Sequence, residues 1–285
     1  MVRQFITLNN SNYTGGNNYS LRFPKTVSLD KDTKLSLFSF SMYNSFYNIS
    51  QKQYNNSNIT FTWFDSTVYN WVIPDGYYSV SDLNIWLQSQ FITYILYKYN
   101  LYCTNSSNSQ NIFFVAFKIN SVLYKNEIDT NYVPSSTNAS LFGYVKPIGA
   151  SWDFPSVNTC ITITINLGLQ KYFGITDRLS FGQITPVQNV QYVSNICPTV
   201  SSVFSLFITC NLIVSDFSQI ANVFAQIPIM KGFGSLIDYN ASLDSGINVQ
   251  PGVYNSITIG LWDQNNYPLQ FQDDEIVIML VIDHA

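Results

Sequence analysis

The side chains able to do chemistry are few. The 285-residue chain has one histidine, His284, beside the C-terminus. A Ser-His-Asp or Cys-His site would have to be built on that residue, and terminal residues are usually mobile. The same shortage excludes a His-rich zinc site. The four cysteines, Cys103, Cys160, Cys197 and Cys210, form no C-x-x-C pair, and their spacing fits neither a zinc site nor a compact disulfide framework. Cys210 lies in an alternating strand pattern and reads as a small core residue, and a reducing compartment is the default reading.

Carboxylates offer little more. Asp30-Lys31-Asp32 begins like a calcium loop but lacks the third ligand position and the glycine that bends such a loop. Asp273-Asp274-Glu275 is a cluster that a cation could bridge, but it reads first as a solvated turn. Nothing nominates a glycosidase pair. The Gly-Phe-Gly-Ser run at 232–235 lacks both the Lys-Ser/Thr of a P-loop and the spacing of a dinucleotide fingerprint, and reads as a bend between strands. No residue is therefore nominated as catalytic, cofactor-binding or metal-binding, no cofactor is expected, and the chain reads as a non-enzyme.

Composition narrows the partners. Hydrophobic residues make up 46% of the chain and aromatic residues 16%, while charged residues are only 11%, against about 25% in an ordinary soluble domain. Asn, Ser, Thr, Gln and Tyr must cover the surface, and such a surface loses little when stripped of water against a neighbour. AT-rich coding would also favour Asn, Tyr, Ile, Lys and Phe. The net charge is −4 and the 13 Lys and Arg are scattered, so direct nucleic-acid binding is not expected. No apolar run is long enough for a membrane-spanning helix, and the opening MVRQFITLNN has no secretion signal. Sequons at Asn12, Asn18, Asn48, Asn55, Asn58, Asn105, Asn138 and Asn240 are common by chance in an Asn- and Ser-rich chain and read as unmodified.

The elements are mainly strands. Apolar residues alternate with polar ones in residues 34–49 (Phe38, Phe40 and Met42 on one face), 59–64, 111–119, 160–166 (Ile161, Ile163, Ile165) and 202–213 (Phe204, Leu206, Ile208, Cys210, Leu212). A last pair, 256–262 and 275–282, is joined by DQNNYPLQFQDD, which reads as a hairpin link, and the final strand is apolar on both faces, as a central or interfacial strand would be. Many short strands with Asn, Gly and Pro turns predict an all-β sandwich or barrel. Residues 100–195 are less regular and read as an excursion or a small inserted subdomain, leaving 1–99 and 196–285 as the core. A short helix is expected at 167–173, before Gly174.

One stretch breaks the strand pattern. In IPDGYYSVSDLNIWLQSQF (73–91), Pro74-Asp75-Gly76 is a turn, and Ser79 with Asp82 makes a capping box with Tyr78 and Leu83 at the staple positions. Leu83, Trp86, Leu87, Phe91, Tyr94 and Ile95 form one stripe of a helix reaching about residue 99, and are expected to bury against a sheet face or edge.

The segments in order resemble the penton (minor capsid) proteins of virophages and polinton-like viruses. The N-terminal strand RQFITLNNSN is followed by the extended run YSLRFPKTVSLDKDTKLSLFSFSMYNSFYNI. The turn and helix IPDGYYSVSDLNIWL, the LGLQKYFGI turn, the strand SLFITCNLIV and the closing SITIGLWDQNNYPLQFQDDEIVIMLVI are each similar to the family's corresponding segment. The chain departs from the family in ending VIDHA rather than on a basic aromatic tail, and 100–195 matches least. The resemblance implies a jelly-roll β-sandwich with one amphipathic helix and an inserted irregular or small β region. It implies a homopentamer at icosahedral vertices that docks onto a double jelly-roll major capsid protein, in a virion assembled in a viral factory of the host cytoplasm. The alternative is a lectin-like or receptor-binding β-sandwich, which would show an exposed aromatic platform or an ion site at one end. A β-sandwich hydrolase is disfavoured, because partners for a nucleophile and base are missing.

Overall fold

The computed structural model describes residues 2–92, 100–182, 188–214, 222–241 and 246–284. The chain opens with β1 (Val2–Asn9), β2 (Tyr13–Gly15), β3 (Asn18–Leu29) and β4 (Lys34–Tyr43). It continues through β5 (Asn58–Thr62), β6 (Val68–Val72), α1 (Val80–Ile92), β7 (Cys103–Asn105), β8 (Asn111–Ile112), β9 (Val115–Asn120), β10 (Lys125–Thr130), α2 (Ser136–Leu141), β11 (Tyr144–Val145), β12 (Thr162–Ile165), α3 (Leu167–Phe173), β13 (Ser180–Gly182) and β14 (Val190–Val193). It returns through β15 (Ser205–Cys210), β16 (Val223–Pro228), β17 (Leu236–Asn240), β18 (Ile247–Asn248), β19 (Gly252–Asp263) and β20 (Ile276–His284). These elements fall into two compact units, residues 1–47 with 201–285, and residues 48–200.

The first unit is a jelly roll. One sheet runs β1-β20-β4-β17, with β18 also on β4, and the other runs β16-β15-β19-β3-β2, all antiparallel. Among its eight long strands in chain order, one sheet holds the first, eighth, third and sixth, and the other holds the second, seventh, fourth and fifth. That order, two antiparallel sheets with Greek-key crossings, defines the jelly roll. Ile6, Leu8, Leu35, Phe40, Met42, Ile278 and Leu280 of one sheet and Leu206, Ile208, Cys210, Ile257, Ile259 and Leu261 of the other bury into one core. The final strand is central, between β1 and β4. Its Val281 is buried on the face opposite the core residues, whereas Val277 on that face is exposed.

Three expectations change here. The link 263–274 is not a hairpin, since β19 and β20 belong to different sheets. Alternation fixes which face a residue takes, but not which strand it meets. Phe38 does not share the core face with Phe40 and Met42, because the register slips between Met279 and Leu280 opposite it. The extra residue turns Phe38 outward, where it packs edge-on against exposed Phe5 at 5.9 Å. Phe204 precedes β15 and stays exposed, while Leu206, Ile208, Cys210 and Leu212 are buried.

The second unit carries sheets β13-β12-β5-β6, β14-β10-β9 and β11-β7-β8 around its own core. Its bounds differ from the expected 100–195: the β5–β6 hairpin and α1 belong to this unit, not to the jelly roll. The apolar stripe of α1 needs a sheet, and the strand that it packs on, β9, comes later within the same insertion.

Helix α1 begins as its sequence dictates. The Ser79 N–H donates to Asp82 Oδ2 (2.9 Å) and the Asp82 N–H to Ser79 Oγ (3.1 Å), so two otherwise unpaired amides are satisfied reciprocally. Leu83, Leu87 and Phe91 are buried. Trp86 is only half-buried, because it stands at the margin of the stripe beside exposed Ile85. Asn84 accepts the Phe117 N–H (2.9 Å), so the helix also covers the outer edge of β9. Tyr94 and Ile95 lie outside the described residues. Helix α3 spans the expected 167–173 and ends at Gly174, whose φ of 72° is left-handed; a Cβ there would lie 2.6 Å from the Ile196 carbonyl oxygen.

Candidate functional surfaces

The residues with chemical potential remain apart. His284 ends β20, paired with Val2, and its Nε2 is buried with no hydrogen-bond partner among the described residues. Burial pushes the thiols of Cys103 and Cys210 up to about 12, so both are inert core residues, and Cys160 is raised in the same direction. All four cysteines are free. Asp30 accepts the Asp32 N–H and the Thr33 hydroxyl in its own turn, and those bonds hold its carboxyl below the usual range. Asp273 accepts the Glu275 N–H in another local turn. Residues 232–235 form the bend between β16 and β17, closed by Ser235 N–H to Gly232 O. Among the described residues no three His, Cys, Asp or Glu gather as a metal site, and no helix is long and apolar enough to cross a membrane.

What the fold does assemble is a buried polar junction, which sequence reading missed. Asn48, 2% exposed, donates through Nδ2 to the carbonyls of Tyr78 (2.8 Å) and Val200 (2.9 Å), and its Oδ1 accepts the Tyr78 N–H (2.9 Å). Tyr172 donates its hydroxyl to the same Tyr78 carbonyl (2.8 Å), and burial pushes that hydroxyl's pKa strongly upward. Gly76 pairs with Ile49, and Asp75 accepts the Gln51 N–H and the Ser50 hydroxyl. The Pro-Asp-Gly-Tyr-Tyr turn is thus the knot in which the first and last residues of the inserted unit meet. The chain signals in it were the turn formers; the Asn48 sequon gave no hint, and its amide is fully used inside the protein.

Open surfaces occur on both units among the described residues. On the jelly roll, Phe5, Phe38, Met279 and Val277 share the outer face of the β1-β20-β4-β17 sheet. A groove of about 390 Å³ crosses the end of that sheet between Asn9, Ser41, Tyr43, Leu236, Glu275 and Val277. On the inserted unit, a shallow cleft of about 480 Å³ runs along α2 at Ser136, Thr137, Ser140 and Leu141.

No protein-family model matches the chain, and no curated protein matches it. Among solved structures, it is similar to the SeMet-labelled mavirus penton protein, with 12% sequence identity, a TM-score of 0.46 and 99% of each chain covered. That likeness is too distant to carry any residue's role onto this chain. The jelly roll stands on the strand order alone.

Proposed function

We propose that this chain is a non-catalytic structural protein of a viral capsid, forming pentameric vertices of an icosahedral shell and docking onto a double jelly-roll major capsid protein. The observation that carries the proposal is the jelly-roll strand order, joined to the ordered sequence segments that resemble virophage and polinton-like virus pentons. A shell protein works by geometry. A five-fold ring needs two different faces of one subunit to match, because a cyclic contact is heterologous. The outer face around Phe5, Phe38, Val277 and Met279 has the character required of one such face: it mixes these apolar side chains with the neutral Thr7, Ser39 and Ser41, its Arg3 is paired with Asp283, and in the adjoining groove Glu275 is the one ionisable acid among the lining residues. Removing water from it strips few charges.

The residue inventory agrees with a structural role, since the cysteines with raised pKa values are inert and, among the described residues, His284 has no hydrogen-bonded nucleophile at Nε2. The proposed place of action is the virion, after assembly in the host cytoplasm. The test is to identify the chain in purified particles by mass spectrometry and to locate it in a particle map. Density for this jelly roll at the five-fold vertices is the expected result. Its absence from purified virions overturns the reading.

A further inference from the structure

We infer that the tip of the β9–β10 hairpin, in the inserted unit, seats in the surface of a lipid bilayer, as a peripheral contact and not a span. The first observation is the composition of the tip. Residues 119–124 read Ile-Asn-Ser-Val-Leu-Tyr, with no Asp, Glu, Lys, Arg or His. Ile119 is 52% exposed, Val122 85%, Leu123 58% and Tyr124 83%. A hairpin turn is ordinarily polar, and the β7–β8 turn of the same unit, 106–110, reads Ser-Ser-Asn-Ser-Gln. Large apolar side chains gathered at one exposed place mark a surface that is covered in use.

The second observation is the backbone. Tyr124 has a φ of 52°, in the left-handed region that a bulky side chain adopts only at a cost. The six other non-glycine residues with positive φ among the described residues are all Asn or Ser. The turn is also pinned from behind. Asn120 Oδ1 accepts the Leu123 N–H (3.1 Å), and Asn120 Nδ2 donates to Oε1 of buried Glu127 (2.9 Å). Glu127 Oε2 in turn accepts the Gln191 side-chain amide (2.7 Å). The turn is therefore set with its apolar residues exposed before any partner arrives, and little backbone entropy is lost on contact.

Size and charge select a bilayer as the occupant. A standard protein interface engages about 20–30 residues a side, and four side chains on a projecting turn fall far short of that. A bilayer accepts a small protrusion without a matching shape. Aliphatic side chains enter the acyl boundary, and a Tyr ring suits the headgroup level. The lysines beside the tip are already engaged: Lys118 pairs with Asp129, and Lys125 Nζ donates to the Ser194 carbonyl (2.8 Å). The contact is therefore apolar, and a phosphatidylcholine surface satisfies it without anionic headgroups.

This inference does not depend on the capsid reading, because its test uses the isolated full-length chain. The chain is floated with vesicles of phosphatidylcholine alone and with vesicles that also contain phosphatidylserine. It should float equally with both at millimolar lipid, and added salt should leave the bound fraction unchanged. Val122→Asp and Leu123→Asp should each lower the partition coefficient by about tenfold or more, with unchanged circular dichroism and unfolding midpoint. Tyr124→Asn should weaken binding while its unfolding midpoint stays equal or rises, because Asn adopts the left-handed backbone readily. No flotation at millimolar lipid overturns the inference. So does binding that needs phosphatidylserine, or binding that both Asp variants retain. If the parent chain self-associates without lipid and Leu123→Asp returns it to monomer, a second copy covers the tip and the bilayer assignment is wrong.

Discussion

Asn48 and Asp263 show two opposite fates of a buried polar side chain. Asn48 has both donors and its acceptor filled, so it stabilises the closure of the inserted unit. Asn48→Ala leaves the Tyr78 amide and the Val200 carbonyl without their partner. We expect a loss of about 3 kcal/mol by chemical denaturation, with faster hydrogen exchange at residues 76–80. Asp263 is fully buried: Oδ1 accepts the N–H groups of Asn265 and Tyr267 (2.8 Å each), but Oδ2 has no partner among the described residues. Burial raises its carboxyl above the usual range. The folded state therefore holds the proton more tightly than the unfolded state. This contribution to stability is fully present below about pH 4, the unfolded value, and is lost as pH rises through the raised folded value. Asp263→Asn keeps the acceptor and removes the charge. The variant should gain stability relative to the parent as pH rises from about 4 to 7, and equal stability at both ends of a denaturation series would refute this.

At the scale of elements, α1 separates what a pattern specifies from what packing decides. The turn, the capping box and the stripe at Leu83, Leu87 and Phe91 were legible, because each depends on neighbours within four residues. The half-exposure of Trp86 was not, because it depends on where β9 ends its cover. Leu87→Ala should cost about 2–5 kcal/mol. Trp86→Ala should cost clearly less, about 1–2 kcal/mol, in proportion to its smaller buried area. Equal losses in thermal unfolding would show that Trp86 is as buried as Leu87. Ser79→Ala should cost about 1 kcal/mol through the lost cap. Helix α3 was read to its last residue for the same local reasons: Asn166 accepts the Leu169 N–H at its start, and Gly174 ends it.

At the scale of the whole molecule, the chain has two cores divided between two units. The jelly roll is closed at the break in its chain: Ser202 donates its hydroxyl to the Tyr47 carbonyl (2.8 Å), and Gln264 donates to the Ser202 carbonyl (2.8 Å). The inserted unit is closed by Asn48 and Val200. Each unit therefore has the core and the sealed ends needed for its own cooperative transition. Scanning calorimetry of the full chain should show two transitions. Phe61→Ala, in the core of the inserted unit, should lower one, and Leu280→Ala, in the jelly-roll core, the other. One transition that both variants lower together would show a single cooperative body.

The sequence by itself determined the β-rich character, the faces of most strands, the caps of α1 and α3, and a surface poor in charge. These follow from the period of side-chain alternation, from hydrogen bonds that reach three or four residues, and from composition. Tertiary structure alone decided which strands pair, where the inserted unit begins, that Phe38 turns outward and that Asn48 meets Val200. Those outcomes rest on backbone hydrogen bonds and side-chain contacts between residues far apart in the chain, such as Leu35 with Ile282 and Asn48 with Val200. A period-two pattern is the same whichever partner strand satisfies it, so only the assembled core could choose among them.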